Sequence, residues 1–133
     1  MNLTFFRGGY KVLKIASWNV NSLNVRLPHV LAWCDMAAPD ILALQETKLV
    51  DERFPVDELI EAGYHSVYSG QKTYNGVAVL SREPASDTVT DVDGLDDPQR
   101  RILAATIGGV RIIDLYVVNG SEVGSDKYAY KLH

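Results

Sequence analysis

The sequence has little cysteine, no long apolar run and no surplus of positive charge. Cys34 stands alone, so no internal disulfide can form, and a thiolate zinc site needs several sulfurs. It sits in Val30-Leu-Ala-Trp-Cys-Asp-Met36, a helical apolar pattern, and reads as a buried structural thiol in a reducing, cytoplasmic setting. The apolar runs at 41–44, 76–80 and 110–118 are too short or too interrupted to span a bilayer, so no membrane partner is expected. Lys and Arg number 13 against 17 Asp and Glu, a formal charge of −4. That balance excludes a small basic coat protein, whose affinity for nucleic acid comes from excess cations. An enzyme that holds nucleic acid through a few placed cations and a metal remains open.

What is present suits one soluble domain. The chain has 133 residues, 47% hydrophobic and 23% charged. A chain of this length buries roughly two thirds of its unfolded surface. Residues 13–19 alternate apolar and polar, as a half-buried strand does. Apolar positions 27, 30, 31 and 34 form a helical stripe over 27–36, with Pro28 expected in the first turn. Ala37-Ala-Pro-Asp40 breaks that helix, and 41–45 reads as a short apolar strand. The strand–helix–strand order makes the first two strands parallel neighbours. A second helix is expected over 55–62, with strands over 64–69, 76–81, 101–107 and 110–118. Gly108-Gly109 marks a tight hairpin between the last two. Residues 87–98 read as an acidic, solvated loop without the spacing of a calcium site.

Both termini are unusual. Residues 1–12 carry no apolar segment or cleavage site of a secretory signal. They are expected to be a disordered extension, with 1–11 either a tail or upstream sequence translated from a misplaced start, for which Val12 or Leu13 would be the alternative initiator. At the other end, Ser125 and Asp126 open a helix that stops at His133 after about two turns, as if cut in mid-element.

The polar residues follow the strands. Trp18-Asn-Val-Asn21 closes the first and Gln45-Glu-Thr-Lys48 the second. Parallel neighbours put their C-terminal ends on one rim, where open α/β sheets bind ligands. Asn19 and Glu46 there are hard oxygen donors suited to Mg²⁺ or Mn²⁺. The plainer alternative makes Asn19 a turn cap and Glu46 a solvated loop acid.

Lys14-Ile-Ala-Ser-Trp-Asn-Val-Asn21, Pro39-Asp-Ile-Leu-Ala-Leu-Gln-Glu-Thr-Lys48 and Tyr116-Val-Val-Asn-Gly120 occur in this order. Together they resemble the exonuclease III and AP endonuclease family of the endonuclease/exonuclease/phosphatase superfamily, from about residue 13 to 133. The resemblance implies an α/β fold, a four-layer DNase I-like sandwich. This chain would be its N-terminal half (13–133): one mixed sheet with outer helices, its inner face lacking a partner. It implies that Glu46 and Asn19 bind the metal and act in catalysis with Tyr116, which stabilises the attacked phosphate or the nucleophile. Asn21 falls where some relatives have an aspartate near the metal. Gln71, Lys72, Tyr74 and Asn75 match a DNA-facing loop, and Arg100 or Arg101 a backbone-contacting arginine. Asn119 matches a phosphate-contacting asparagine, although Val118 stands where many relatives have proline. Tyr116, Lys72 and Arg100 also have ordinary structural readings, as a satisfied core tyrosine and surface cations.

The implied activity is Mg²⁺- or Mn²⁺-dependent hydrolysis of the DNA backbone at abasic sites, with 3′→5′ exonuclease action on double-stranded DNA, in base-excision repair. Relatives run it with a Gly-Asp-Phe-Asn and a Ser-Asp-His element, and neither occurs here. His29, His65 and His133 all lack the second context. The chain alone is therefore expected to be inactive and poorly folded, with the missing C-terminal half of the fold as its natural partner. The rivals are another phosphodiesterase of the superfamily and a non-catalytic DNA-binding remnant.

Overall fold

The computed structural model describes residues 2–8, 11–70, 74–90 and 102–116. Its first strands are β1 (Asn2–Gly8) and β2 (Lys11–Asn19), followed by helix α1 (Leu23–Ala37) and β3 (Ile41–Gln45). A 3₁₀ turn at Asp51–Arg53 leads to α2 (Val56–Glu61), β4 (His65–Ser69) and β5 (Val77–Ser81). The chain then runs through β6 (Ser86–Val89), β7 (Ile102–Ile107) and β8 (Val110–Leu115). Five strands form a mixed sheet in the order β1-β2-β3-β5-β4, and β6-β7-β8 form a second, antiparallel sheet.

The β2–α1–β3 unit fixes the rest. β2 and β3 are parallel with Ile15 opposite Ile41 and Asn19 opposite Gln45. Every residue of β3 from Ile41 to Leu44 is buried, as a strand covered on both faces requires. Leu42 and Leu44 face a core with Val30, Cys34 and Leu59 of the helices, while Ile41 and Ala43 face one with Leu103 and Ile107 of β7. The alternation thus sorts side chains between helix and second-sheet layers. Tyr64 is buried in the helix-side core and satisfies its hydroxyl by donating to the Pro39 carbonyl at 2.7 Å. A clamp closes the α1–β3 connection. The Lys14 N–H donates to Asp40 Oδ2 and the Asp40 N–H to the Lys14 carbonyl, both at 2.8 Å.

Four expectations need correction. Of residues 1–12, expected to be a disordered extension, 2–8 and 11–12 are strand, because β1 pairs antiparallel with β2 from Asn2↔Ser17 to Gly8↔Lys11, and the others lie outside the described residues. Leu3 and Phe5 there are exposed, so backbone pairing to an otherwise open strand edge carries β1, not burial. The mixed sheet with outer helices is as expected, but its inner face is not bare. The Gly108-Gly109 turn, with φ of +57° and +78°, joins β7 to β8. Leu103, Ala105 and Ile107 then cover the face with one side of β7. Residues 86–89 are strand, not loop, an edge pairing with a register shift against β7. Helix α1 starts at Leu23, four residues early, since the Leu23 N–H is held by the Thr47 carbonyl at 2.9 Å and its side chain is fully buried. Pro28 accordingly lies inside the helix, where it forfeits one bond, to the carbonyl of exposed Asn24.

One acid is buried between the sheets. Asp114 on β8 is 2% exposed and accepts from Gln45 Nε2 at 2.7 Å through Oδ1, while Oδ2 has no hydrogen-bond partner among the described residues. Burial pushes its carboxyl up from the ordinary 3.8 to about 7, and the Gln45 amide pulls the other way.

Two outcomes follow. A chain lacking residues 1–9 bares the β2 edge and is expected to self-associate; light scattering after size exclusion that finds only monomer would contradict this. The raised Asp114 value means that the fold favours the neutral carboxyl. The contribution of Asp114 to stability is therefore greatest below about pH 4 and falls, by about 1.4 kcal/mol per unit at most, up to about pH 7. Urea midpoints at about pH 4.5 and 7.5 should differ for the native chain and converge for Asp114→Asn.

Candidate functional site

The strand-end rim is built by three segments laced together beyond the ends of β2 and β3. The Val20 N–H donates to the Gln45 carbonyl at 3.0 Å, Ser22 to Glu46 at 2.8 Å and Leu23 to Thr47 at 2.9 Å. On the other side, the Thr47 N–H reaches the Gly76 carbonyl at 3.2 Å and the Lys48 N–H the Asn75 carbonyl at 2.8 Å. Segment 45–48 therefore sits between the loop after β2 and the entry to β5.

This rim concentrates the unusual backbone. Among the described residues, seven non-glycine positions have positive φ, and five of them lie here: Asn21, Ser22, Glu46, Lys48 and Asn75. Asparagine tolerates the left-handed region, but Glu46 (φ +56°) and Lys48 (φ +55°) bear its steric cost, roughly 1–2 kcal/mol each. Such strain persists only where surrounding bonds over-determine the backbone, and it gathers at functional sites. Here the lacing supplies those bonds.

The side chains of the rim are hard donors with one cation among them. The Asn21 N–H donates to Asn19 Oδ1 at 3.1 Å, and Lys48 Nζ donates to Asn21 Oδ1 at 2.6 Å. Glu46 is half-buried, and no hydrogen bond or ion pair from the described residues engages its carboxylate. A carboxylate and an amide oxygen on adjacent strand ends fit part of a magnesium or manganese shell. Among the described residues, no three His, Cys, Asp or Glu side chains converge into a metal cage, so the rim supplies a part of such a shell.

Two glycines pin the segment that follows. A Cβ on Gly70 would meet the Leu49 carbonyl oxygen at 2.0 Å, and one on Gly76 would meet Thr47 Oγ1 at 2.2 Å. Gly70 also donates its N–H to Asp51 Oδ1 at 2.8 Å. Both ends of the β4–β5 connection are thereby held against residues 47–51. Tyr74, 65% exposed, stands beside this anchor.

The second sheet reaches the same rim. The Gln45–Asp114 bond sets the end of β8 against the end of β3, two residues before Tyr116. Tyr116 is half-buried and packs on the inner-face core. The structure thus gathers Asn19, Asn21, Glu46, Tyr74 and Asn75 on one rim and brings β8 with Tyr116 up to it. Gln71, Lys72, Arg100, Arg101 and Asn119 lie outside the described residues. Sequence reasoning missed Lys48 and Asp114 as contributors. Lys48 stood in the quoted Gln-Glu-Thr-Lys element, whereas Asp114 gave no signal beyond a charge inside an apolar strand.

The chain matches known proteins over most of its length. The model of the endonuclease/exonuclease/phosphatase family matches residues 16–132. The chain is 36% identical over 114 residues to exodeoxyribonuclease III of Haemophilus influenzae, covering 81% of this chain and 42% of that protein. Among solved structures, the 3′ phosphatase NExo from Neisseria, bound to a product DNA hairpin, superimposes with a TM-score of 0.87 at 53% identity. An AP endonuclease from Archaeoglobus fulgidus gives 0.86 at 42%. Each of these two superpositions covers 90% of this chain and 47% of the other, so the chain spans about half the length of these relatives. With the matched region extending over nearly all of its length and the rim in place, the chain belongs to the endonuclease/exonuclease/phosphatase family.

Proposed function

We propose that this chain is part of a DNA-repair nuclease that hydrolyses phosphodiester bonds with Mg²⁺ or Mn²⁺, at abasic sites and at 3′ ends of double-stranded DNA. The observation that carries the reading is the strained, laced rim that presents Glu46 beside Asn19, in a chain whose relatives are named as exodeoxyribonuclease III and AP endonuclease. Glu46 and Asn19 would hold the cation. When bound, it supplies Lewis acidity at a phosphoryl oxygen and offsets the charge that builds up in the transition state.

The chain's own residues do the positioning. Tyr116 donates its hydroxyl to an oxygen of the attacked phosphate, or to the nucleophile. Asn119 contacts phosphate, and Asn21, held by Lys48, orders the rim next to the metal. Gln71, Lys72, Tyr74 and Asn75 face the DNA on the pinned β4–β5 connection, and Arg100 and Arg101 add cations for its backbone. A general base is not among the residues assigned, because the Gly-Asp-Phe-Asn and Ser-Asp-His elements are absent from these 133 residues. Cleavage would therefore need the second half of the fold, and the 133 residues by themselves would be inactive. A cytoplasmic setting fits the lone buried thiol.

A specific observation favours 3′-end processing as a second reading. Identity to the Neisseria 3′ phosphatase is 53%, against 42% to the archaeal AP endonuclease. Release of phosphate from a 3′-phosphorylated duplex, faster than nicking of a duplex with one abasic site, would select it.

The test uses a polypeptide carrying these residues together with the second half of the fold. Chelation of divalent cations should abolish cleavage, and Glu46→Ala should lower it on the order of 100-fold. Tyr116→Phe should cost on the order of 100-fold in kcat with KM little changed, as loss of a transition-state donor does. Cleavage that persists in Glu46→Ala with a full metal requirement would overturn the assignment. The 133 residues alone should cleave no faster than a blank.

A further inference from the structure

Behind the rim the Gln45–Asp114 bond is part of a wider polar network. Gln45 Nε2 donates one hydrogen to Asp114 Oδ1 at 2.7 Å and the other to Ser17 Oγ at 3.1 Å. An amide nitrogen has two hydrogens, so this one is fully committed. The three residues come from β3, β8 and β2, and each sits just short of a rim residue. Ser17 is two before Asn19, Gln45 one before Glu46 and Asp114 two before Tyr116. Residues two apart along a strand share a face, so Ser17 and Asn19 lie on one face of β2.

Stability alone does not account for Asp114. Its neighbours on the inward face of β8 are Val110 and Ile112, and the core it borders contains Leu103, Val77 and Val79. Its Oδ2 is buried with no hydrogen-bond partner among the described residues, an arrangement that costs free energy and that an apolar side chain would avoid. Apolar contact between the sheets is non-directional and does not fix how far β8 has slid along β3. A hydrogen bond to the last residue of β3 does fix it.

We infer that Asp114 is a positioning residue for the rim, anchoring Gln45 from the second sheet so that the strained turn at Glu46 and the end of β8 at Tyr116 hold one register. The inference rests on the proposed metal-binding reading of that rim. Asp114 acts on the rim through Gln45 and not by contact with metal or substrate.

The test is a Mn²⁺ titration of the ¹⁵N-labelled chain, read as paramagnetic broadening of the Asn19 and Glu46 amide signals, with a thermal melt for each variant. In the unaltered chain these signals should broaden first, and Glu46→Gln should abolish that selectivity. Gln45→Leu with Asp114→Leu removes donor and acceptor together and leaves no orphaned carboxyl. That double variant should melt no lower than the unaltered chain yet need about tenfold more Mn²⁺, as loss of outer-shell support does. Asp114→Asn, which keeps the accepting oxygen, should respond within about twofold of the unaltered chain. If the double variant fails to melt cooperatively, Asp114→Ser takes its place, being too short to reach Gln45, with the same tenfold expectation. An unchanged Mn²⁺ response in the apolar or serine variant overturns the positioning role and leaves the site standing. A Glu46→Gln chain that responds like the unaltered one overturns the site itself, and Asp114 then has nothing to position.

Discussion

The parallel pairing of β2 with β3 is the constraint on which the rest depends. Antiparallel neighbours would send Asn19 and Gln45 to opposite ends of the sheet; the helical crossover through α1 sends them to the same end. That crossover is secured at its far end by the reciprocal Lys14–Asp40 bonds and covered by the core around Val30, Cys34 and Leu42. Once the two strand ends abut, the ladder of backbone bonds continues past them, and the left-handed turns at Asn21, Ser22, Glu46 and Lys48 become the way for the chain to leave the sheet without breaking that ladder. The strain of the site and the order of the fold thus have one origin.

The second sheet contributes differently. It covers the inner face through Leu103 and Ile107, as a hydrophobic layer, and it meets the rim through one buried acid. Its other face carries Ile113 and Leu115, 62% and 52% exposed. The layered order of helices, mixed sheet and antiparallel sheet therefore ends on an apolar surface among the described residues, in a chain that spans about half the length of its relatives.

Much of this was legible in the sequence, for identifiable reasons. The apolar run of β3, the helix-breaking Ala37-Ala-Pro-Asp40 and the stripe at Val30, Leu31 and Cys34 each report a local period or a local steric limit. The same local logic put Asn19 and Glu46 on one rim. The failures share a different cause. β1 is held by pairing to β2, and no pattern of Leu3 and Phe5 could reveal a partner strand. The early start of α1 depends on a carbonyl from Thr47, far off in sequence. Asp114 reads as a surface charge until β8 is laid against β3. Tertiary partners, invisible to periodicity, decided all of these.

Gly70 and Gly76 have a wider meaning than their close contacts. They tie the two ends of the β4–β5 connection to residues 47–51, and the tie involves atoms that no side chain between the two glycines supplies. The residues between the anchors can therefore vary in identity while the anchors, and Glu46 just upstream, stay where they are. In evolutionary terms, the sequence between the anchors and the geometry of the rim are separable inheritances in this fold. A lineage can change that short connection without disturbing the laced strand ends beside it.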